Sequence, residues 1–147
     1  MVGGGIGVTP YASALDDLVN LHQRQAVRCQ KVYFIWVCKS PREYGWFVER
    51  LRRIEEGMEG ILLNDCNKAY RENEGASMFT GLKAQHYFGR PSFQEIFEEI
   101  QGQYVEVKKV GVFSCGMPEM NEKIAEECAA VNQDRHAAMF EHRFETF

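Results

Sequence analysis

Much of the chemistry open to a chain of this size is excluded by what the sequence lacks. The five cysteines, Cys29, Cys38, Cys66, Cys115 and Cys128, are odd in number, widely spaced and form no CxxC pair. That pattern argues against a disulfide framework and against a zinc site, and suits a reducing cytosolic setting. The histidines at 22, 86, 136 and 142 show no metal-ligand spacing with the cysteines or with each other. They read as surface or hydrogen-bonded side chains. Long apolar runs are also missing: the longest, Val32 to Cys38, falls far short of a bilayer span, and no basic-then-apolar leader opens the chain. A soluble, cytoplasmic chain is expected. There is no excess of positive charge either, since the formal net charge is −4 and Arg50, Arg52 and Arg53 sit on helix faces, so nucleic acid is a disfavoured partner. Paired catalytic carboxylates and acid–base triads do not occur. Glu119, Glu122, Glu126 and Glu127 read as the wet side of the last helix.

What remains is a globular composition, 147 residues with 45% hydrophobic content, which predicts one domain over 1–147 with a core of its own. Its most informative stretch is Gly3-Gly4-Gly5-Ile6-Gly7-Val8-Thr9-Pro10. Four glycines in five positions remove the side chains that would keep an anion from the main-chain N–H groups. Thr9 is placed to cap the following helix, with Pro10 at its first position. The N–H groups and positive dipole of such a helix start favour a pyrophosphate. The stretch misses the Rossmann fingerprint, because Val8 or Pro10 stands where the final glycine would be. Glycine-rich turns also serve as plain bends, so context decides between the two readings.

That context alternates strands with helices. Pro10 to about Gln25 reads as a packing helix through Ala14, Leu15, Leu18, Val19 and Leu21. Lys31 to Cys38 reads as a strand buried on both faces. A capping box, Ser40 to Glu43, opens a helix with the stripe Tyr44, Phe47, Val48, Leu51 and Ile54. From Glu55 to Ser77 the pattern reads mostly as loop around Ile61-Leu62-Leu63. A second capping box, Ser92 to Glu95, leads a helix carrying Phe93, Ile96, Phe97 and Ile100. Lys109 to Cys115 reads as a buried strand, Ile124, Ala125, Cys128 and Val131 mark the last helix, and Arg143 to Phe147 forms a closing strand. The fold class expected is α/β, a parallel sheet flanked by helices with right-handed crossovers. Ligands of such sheets lie beyond the carboxyl ends of the strands, where both the glycine turn and Ser114-Cys115-Gly116 would fall.

Six ordered blocks carry a family resemblance: Gly3 to Pro10, Val32 to Val37, Phe79-Thr80-Gly81-Leu82, Phe88-Gly89-Arg90-Pro91, Gly111 to Gly116, and the aromatic C-terminus. Together they resemble the NADPH-binding lobe of the NADPH oxidases. The dual-oxidase branch matches most finely, through Val2 to Tyr11 and His142 to Phe147. The resemblance implies a ferredoxin reductase-like lobe that binds NADPH beside a separate FAD-binding lobe. Hydride would pass from nicotinamide to flavin, and electrons onward through the haems of a transmembrane domain to oxygen, giving superoxide or hydrogen peroxide. The parent protein would place this lobe at the cytosolic face of a membrane.

By the same resemblance Gly4, Gly5, Ile6, Gly7, Val8, Thr9 and Pro10 hold the pyrophosphate, and Lys39 and Arg90 select the 2′-phosphate of NADPH. The family more often has arginine where this chain has Lys39, which shifts the expected discrimination to Arg90. Cys115, Gly116, Met117 and Pro118 border the nicotinamide, and Phe147 lies near the flavin ring. Cys115 and Phe147 are the residues placed nearest the reacting atoms. Read from the residues alone, Cys115 is a small apolar filler with no neighbour to stabilise a thiolate, and Phe147 fits a strand-end core residue as well as a flavin contact.

Two departures from the family pattern concern the fold. The strand leading into the glycine turn, central in this topology, is reduced to Met1-Val2, so a missing central strand is expected. Between the Trp46 helix and Phe79 only Ile61 to Leu63 stands for a further strand and insertion, so an outer strand is expected to be missing too. Such a fragment would not fold normally alone, and without a flavin lobe it would not turn over. The second reading is therefore a truncated, non-catalytic relic or interaction module. A ferric-reductase relative with a metal-ion acceptor is a third.

Overall fold

The structure is a computed structural model and describes residues 1–27, 29, 31–38, 45–57, 62–63, 90–134 and 136–146. In chain order the elements are β1 (Val2–Gly4), a 3-10 turn (Gly5–Val8), α1 (Thr9–Gln23), β2 (Tyr33–Val37), α2 (Gly45–Gly57), β3 (Leu62–Leu63), α3 (Phe93–Gln103), β4 (Lys109–Gly116), α4 (Pro118–Val131) and β5 (Met139–Thr146). The hydrogen-bonded strand order is β3-β2-β1-β4-β5. β2 pairs in parallel with β3, and β4 in parallel with β5. This is an α/β fold with a parallel sheet flanked by helices.

The central strand requires a correction. It is not missing: Val2–Gly4 forms a three-residue β1 that takes the middle place in the order. Main-chain bonding explains how so short a piece holds, because Ile35 N–H donates to Met1 O at 2.8 Å and Val2 is almost fully buried. At the edge, Leu62 and Leu63 supply a two-residue β3. The capping box at 40–43 lies outside the described residues.

The chain divides into two compact units, Met1 with Gly3–Pro91, and Val2 with Ser92–Phe147. In the first unit, β2 buries three consecutive residues, Phe34, Ile35 and Trp36. Successive strand side chains point to opposite faces, so this run is covered on both. α1 contributes Tyr11, Ala12 and Leu15, and α2 contributes Phe47, Leu51 and Ile54. Edge-to-face rings lock them: Tyr11 to Phe34 at 6.2 Å and Trp36 to Phe47 at 5.5 Å. At the rim, Arg50 reaches Asp16 at 2.6 Å between α2 and α1.

In the second unit α3 starts as its capping box requires, with Ser92 Oγ accepting from Glu95 N–H at 3.3 Å. Phe93, Phe97 and Ile100 of α3 share the core with Ile124, Cys128 and Val131 of α4 and Phe140 of β5. The β4 strand is buried only toward its end, at Val112, Ser114, Cys115 and Gly116, while Lys109, Gly111 and Phe113 are exposed. β5 starts earlier than its sequence pattern suggests, at Met139. Asn132 anchors that start, donating to Phe140 O at 2.9 Å and accepting from Phe140 N–H at 2.7 Å.

Candidate functional site

The glycine stretch forms one continuous bend from β1 through the 3-10 turn into α1. A Cβ at Gly3 would collide with the Val8 side chain and lie 3.1 Å from Val8 Cα, so the close return of the chain on itself demands glycine there. Gly5 has φ 54°, the left-handed region that other residues enter at a cost. Trp36 Nε1–H donates to Gly5 O at 3.0 Å and ties the bend to β2.

The reading of Thr9 as a cap is corrected. Val8 holds the N-cap position without a side-chain bond, and Thr9 is the first helical residue with Pro10 second. The Thr9 hydroxyl instead donates to Ile6 O at 2.6 Å. The physical reason is the 3-10 turn, which runs directly into α1 and carries Thr9 past the extended backbone that a capping side chain needs. No acidic residue occupies the first turn of either helix. The positive end of α1 is therefore not offset by a local carboxylate, and an anion is favoured there. Gly7 and Val8 are buried, whereas Ile6, Thr9 and Pro10 are exposed. Arg90 is exposed, just ahead of α3. Lys39 and Phe147 lie outside the described residues.

The second stretch, Cys115-Gly116-Met117-Pro118, carries the chain from β4 into α4. Cys115 is buried, and burial first, then the charge of Glu145, pushes its thiol pKa up. That environment keeps the sulfur protonated and unreactive. Met117 holds the N-cap position of α4, exposed and without a side-chain cap, and Pro118 follows as the first helical residue.

Three residues that the sequence reading did not count among the site residues converge on this turn. Asn121, one turn into α4, donates from Nδ2 to Gly116 O at 3.3 Å and to Glu145 O at 2.9 Å. Its Oδ1 accepts from Ser114 Oγ at 2.7 Å, and Ser114 Oγ lies 2.7 Å from His142 Nε2. A hydroxyl has one proton, and Ser114 gives it to Asn121, so Ser114 accepts from His142 and Nε2 carries the hydrogen. This polarity rules out a serine nucleophile activated by histidine. Burial holds the His142 pKa below its ordinary value, and its ring stacks on Phe144 at 5.4 Å. The one local signal for this set is a polar asparagine on the inward face of a helix that directly follows a strand end.

Among the described residues no group of three or more His, Cys, Asp or Glu could hold a metal, and no helix is long and apolar enough to cross a membrane. Residues 1–129 match the family model for the ferric reductase NAD binding domain. The whole chain is similar to dual oxidase 1 of Caenorhabditis elegans, 47% identical over 171 residues. It is also similar to dual oxidase of Drosophila melanogaster, 36% identical over 170 residues, and to human dual oxidase 1, 36% identical over 169. In each case all of this chain is covered but only 11% of the relative. A bend that opens an uncapped helix, set in a parallel α/β sheet, is thus joined by sequence kinship over most of its length, and the chain belongs to the ferric reductase NAD binding domain family.

Proposed function

We propose that residues 1–147 act as the NADPH-binding domain of an oxidoreductase of dual-oxidase type. The observation that carries this reading is the bend at Gly3–Pro10. Its backbone is held by Trp36, left-handed at Gly5, closed to side chains at Gly3 and free of acidic residues where α1 begins. Those features fit a diphosphate bound on main-chain amides. Gly4, Gly5, Ile6, Gly7, Val8, Thr9 and Pro10 would hold it. Lys39 and Arg90 would pair with the 2′-phosphate, and Cys115, Gly116, Met117 and Pro118 would border the nicotinamide.

When bound, NADPH supplies a hydride for an FAD held mainly by another domain of the parent protein, from which electrons go through haems to oxygen. The chain's own residues bind and orient. Cys115 contributes a buried apolar contact and not a nucleophile, and Phe147 would stand against the flavin ring. Removed from its flavin and membrane domains, the chain would bind NADPH without turnover. In the parent, this domain would lie at the cytosolic face of a membrane.

Chain length favours one other reading. The nematode alignment runs over 171 residues against 147 here, so that relative carries about 24 residues this chain lacks. A shortened, non-catalytic form serving as an interaction module would follow if the site were lost with them. Titration with NADPH, followed by nicotinamide fluorescence, separates the two. Micromolar affinity is expected, and no detectable binding overturns the oxidoreductase reading.

A further inference from the structure

We propose that Asn121 is a positioning residue that sets the main chain offered to the nicotinamide, a role that rests on the site reading above. The carboxamide braces the carboxyl ends of two neighbouring strands, through Gly116 O at the end of β4 and Glu145 O near the end of β5. In the parallel ladder these ends face each other, Cys115 opposite Glu145 and Gly116 opposite Thr146. Ligands of open α/β sheets bind beyond this edge.

The amide can sit in only one orientation. Turned over, its oxygen would face two carbonyl oxygens and its nitrogen would face a hydroxyl whose proton then has no acceptor there. Both donors and the acceptor are used, which is why an asparagine can be 2% exposed inside a helix that gains nothing from its propensity. Ser114, also 2% exposed, fixes the oxygen side, and His142 holds Ser114 from β5.

Gly116 is buried at this turn and the exposed Met117 and Pro118 follow it directly, so the peptide that Asn121 holds sets where those two residues stand. Shifting the Gly116 carbonyl therefore shifts what a flat ring would meet. The three hydrogen bonds of Asn121 run to Ser114, Gly116 and Glu145, all at this strand edge. Asn121 should act on one end of the dinucleotide.

The test is titration of the full chain with NADPH and with 2′-phospho-ADP-ribose, which is the same molecule without nicotinamide. In parallel, NMR follows the Gly116 and Met117 amides. With the unaltered chain, NADPH should shift both amides and the Asn121 side-chain NH2 signals, and 2′-phospho-ADP-ribose should shift none of them. Asn121→Ala should weaken NADPH about tenfold, the equivalent of one buried hydrogen bond, and 2′-phospho-ADP-ribose by less than about twofold. Equal weakening of both ligands, or no change in either, overturns the proposal. Silent Gly116, Met117 and Asn121 signals in the unaltered chain overturn it as well, without any variant needing to fold. If neither ligand binds the unaltered chain, the site reading falls and takes this role with it. Binding of both ligands with an unchanged ratio in Asn121→Ala sinks the positioning role alone.

Discussion

The indole of Trp36 donates a hydrogen bond of 3.0 Å to the main-chain oxygen of Gly5. One side chain of β2 thereby fixes the bend that opens α1, across 31 positions of sequence. Trp36→Phe keeps a ring against Phe47 but leaves the carbonyl without this donor. Urea unfolding should show a loss of about 1–3 kcal/mol, and NADPH affinity should fall with it. Unchanged affinity would mean that the bond does not shape the site.

Gly3 and Gly111 make a paired test of close approach. A Cβ at Gly3 meets Val8 backbone as well as its side chain, whereas at Gly111 the nearest atom, at 3.1 Å, belongs to the exposed ring of Phe113. Gly3→Ala should cost about 1–3 kcal/mol, as overpacking does, while Gly111→Ala stays within roughly 0.5 kcal/mol of the parent. Equal effects at the two positions in thermal melts would refute the packing assigned to Gly3.

Arg90 should decide between the two coenzymes. A charge-assisted contact to the 2′-phosphate is worth about 1.5–3 kcal/mol, so Arg90→Ala should weaken NADPH roughly ten- to hundredfold and barely affect NADH. The ratio of the two dissociation constants is the quantity to measure, and an unchanged ratio removes Arg90 from the site.

The cysteines should separate by reactivity. Cys29 is exposed, Cys115 and Cys128 are buried, and burial raises Cys128, with the Glu127 charge adding to it, to about 11. A thiol reagent followed by mass spectrometry should modify Cys29 early and Cys128 only on unfolding. A raised folded pKa means that the unfolded thiol gives up its proton first as pH rises. Stability from Cys128 is therefore whole below its unfolded value of 9.0 and is lost toward pH 11. A urea midpoint that held steady across that range would contradict the burial.

His142 gives the opposite slope. Burial lowers its pKa, so the unfolded ring takes a proton first as pH falls. The stability it contributes is present above pH 6.5 and declines as pH drops from there through the folded value. NMR titration should find His142 more than half neutral at pH 6.5, with the proton of the neutral ring on Nε2. A pKa at or above 6.5 would count against the burial of the ring.

Local pattern was enough where a feature depends on near neighbours. The α3 start at Ser92 and the inward face of α2 follow from spacing alone, because capping and helical periodicity act over three or four residues. The α1 stripe is corrected: of Ala14, Leu15, Leu18, Val19 and Leu21 only Leu15 is buried, Leu21 is exposed, and Tyr11 and Ala12 take the inward places. Thr9 misled because capping also requires a backbone conformation, and the 3-10 turn ahead of it was not written in residue types. β4 reads as a buried strand, yet Phe113 is 46% exposed, since burial depends on what covers each face. Ser114, Asn121 and His142 stayed silent for a related reason: they stand seven and 28 positions apart and meet only in the fold.

By itself, then, the order of residues determined the alternation of strands and helices, the apolar sides of α2 and α3, the glycine bend and the family to which the chain belongs. These rest on sterics and periodicity within a few residues, which any folded context respects. Only the tertiary structure decided that three residues suffice for the middle strand, that Trp36 holds Gly5, and that Asn121 braces two strand ends. Each of these is a hydrogen bond or pairing between distant positions, and strand register, which no local pattern encodes, determines whether the partners come within reach.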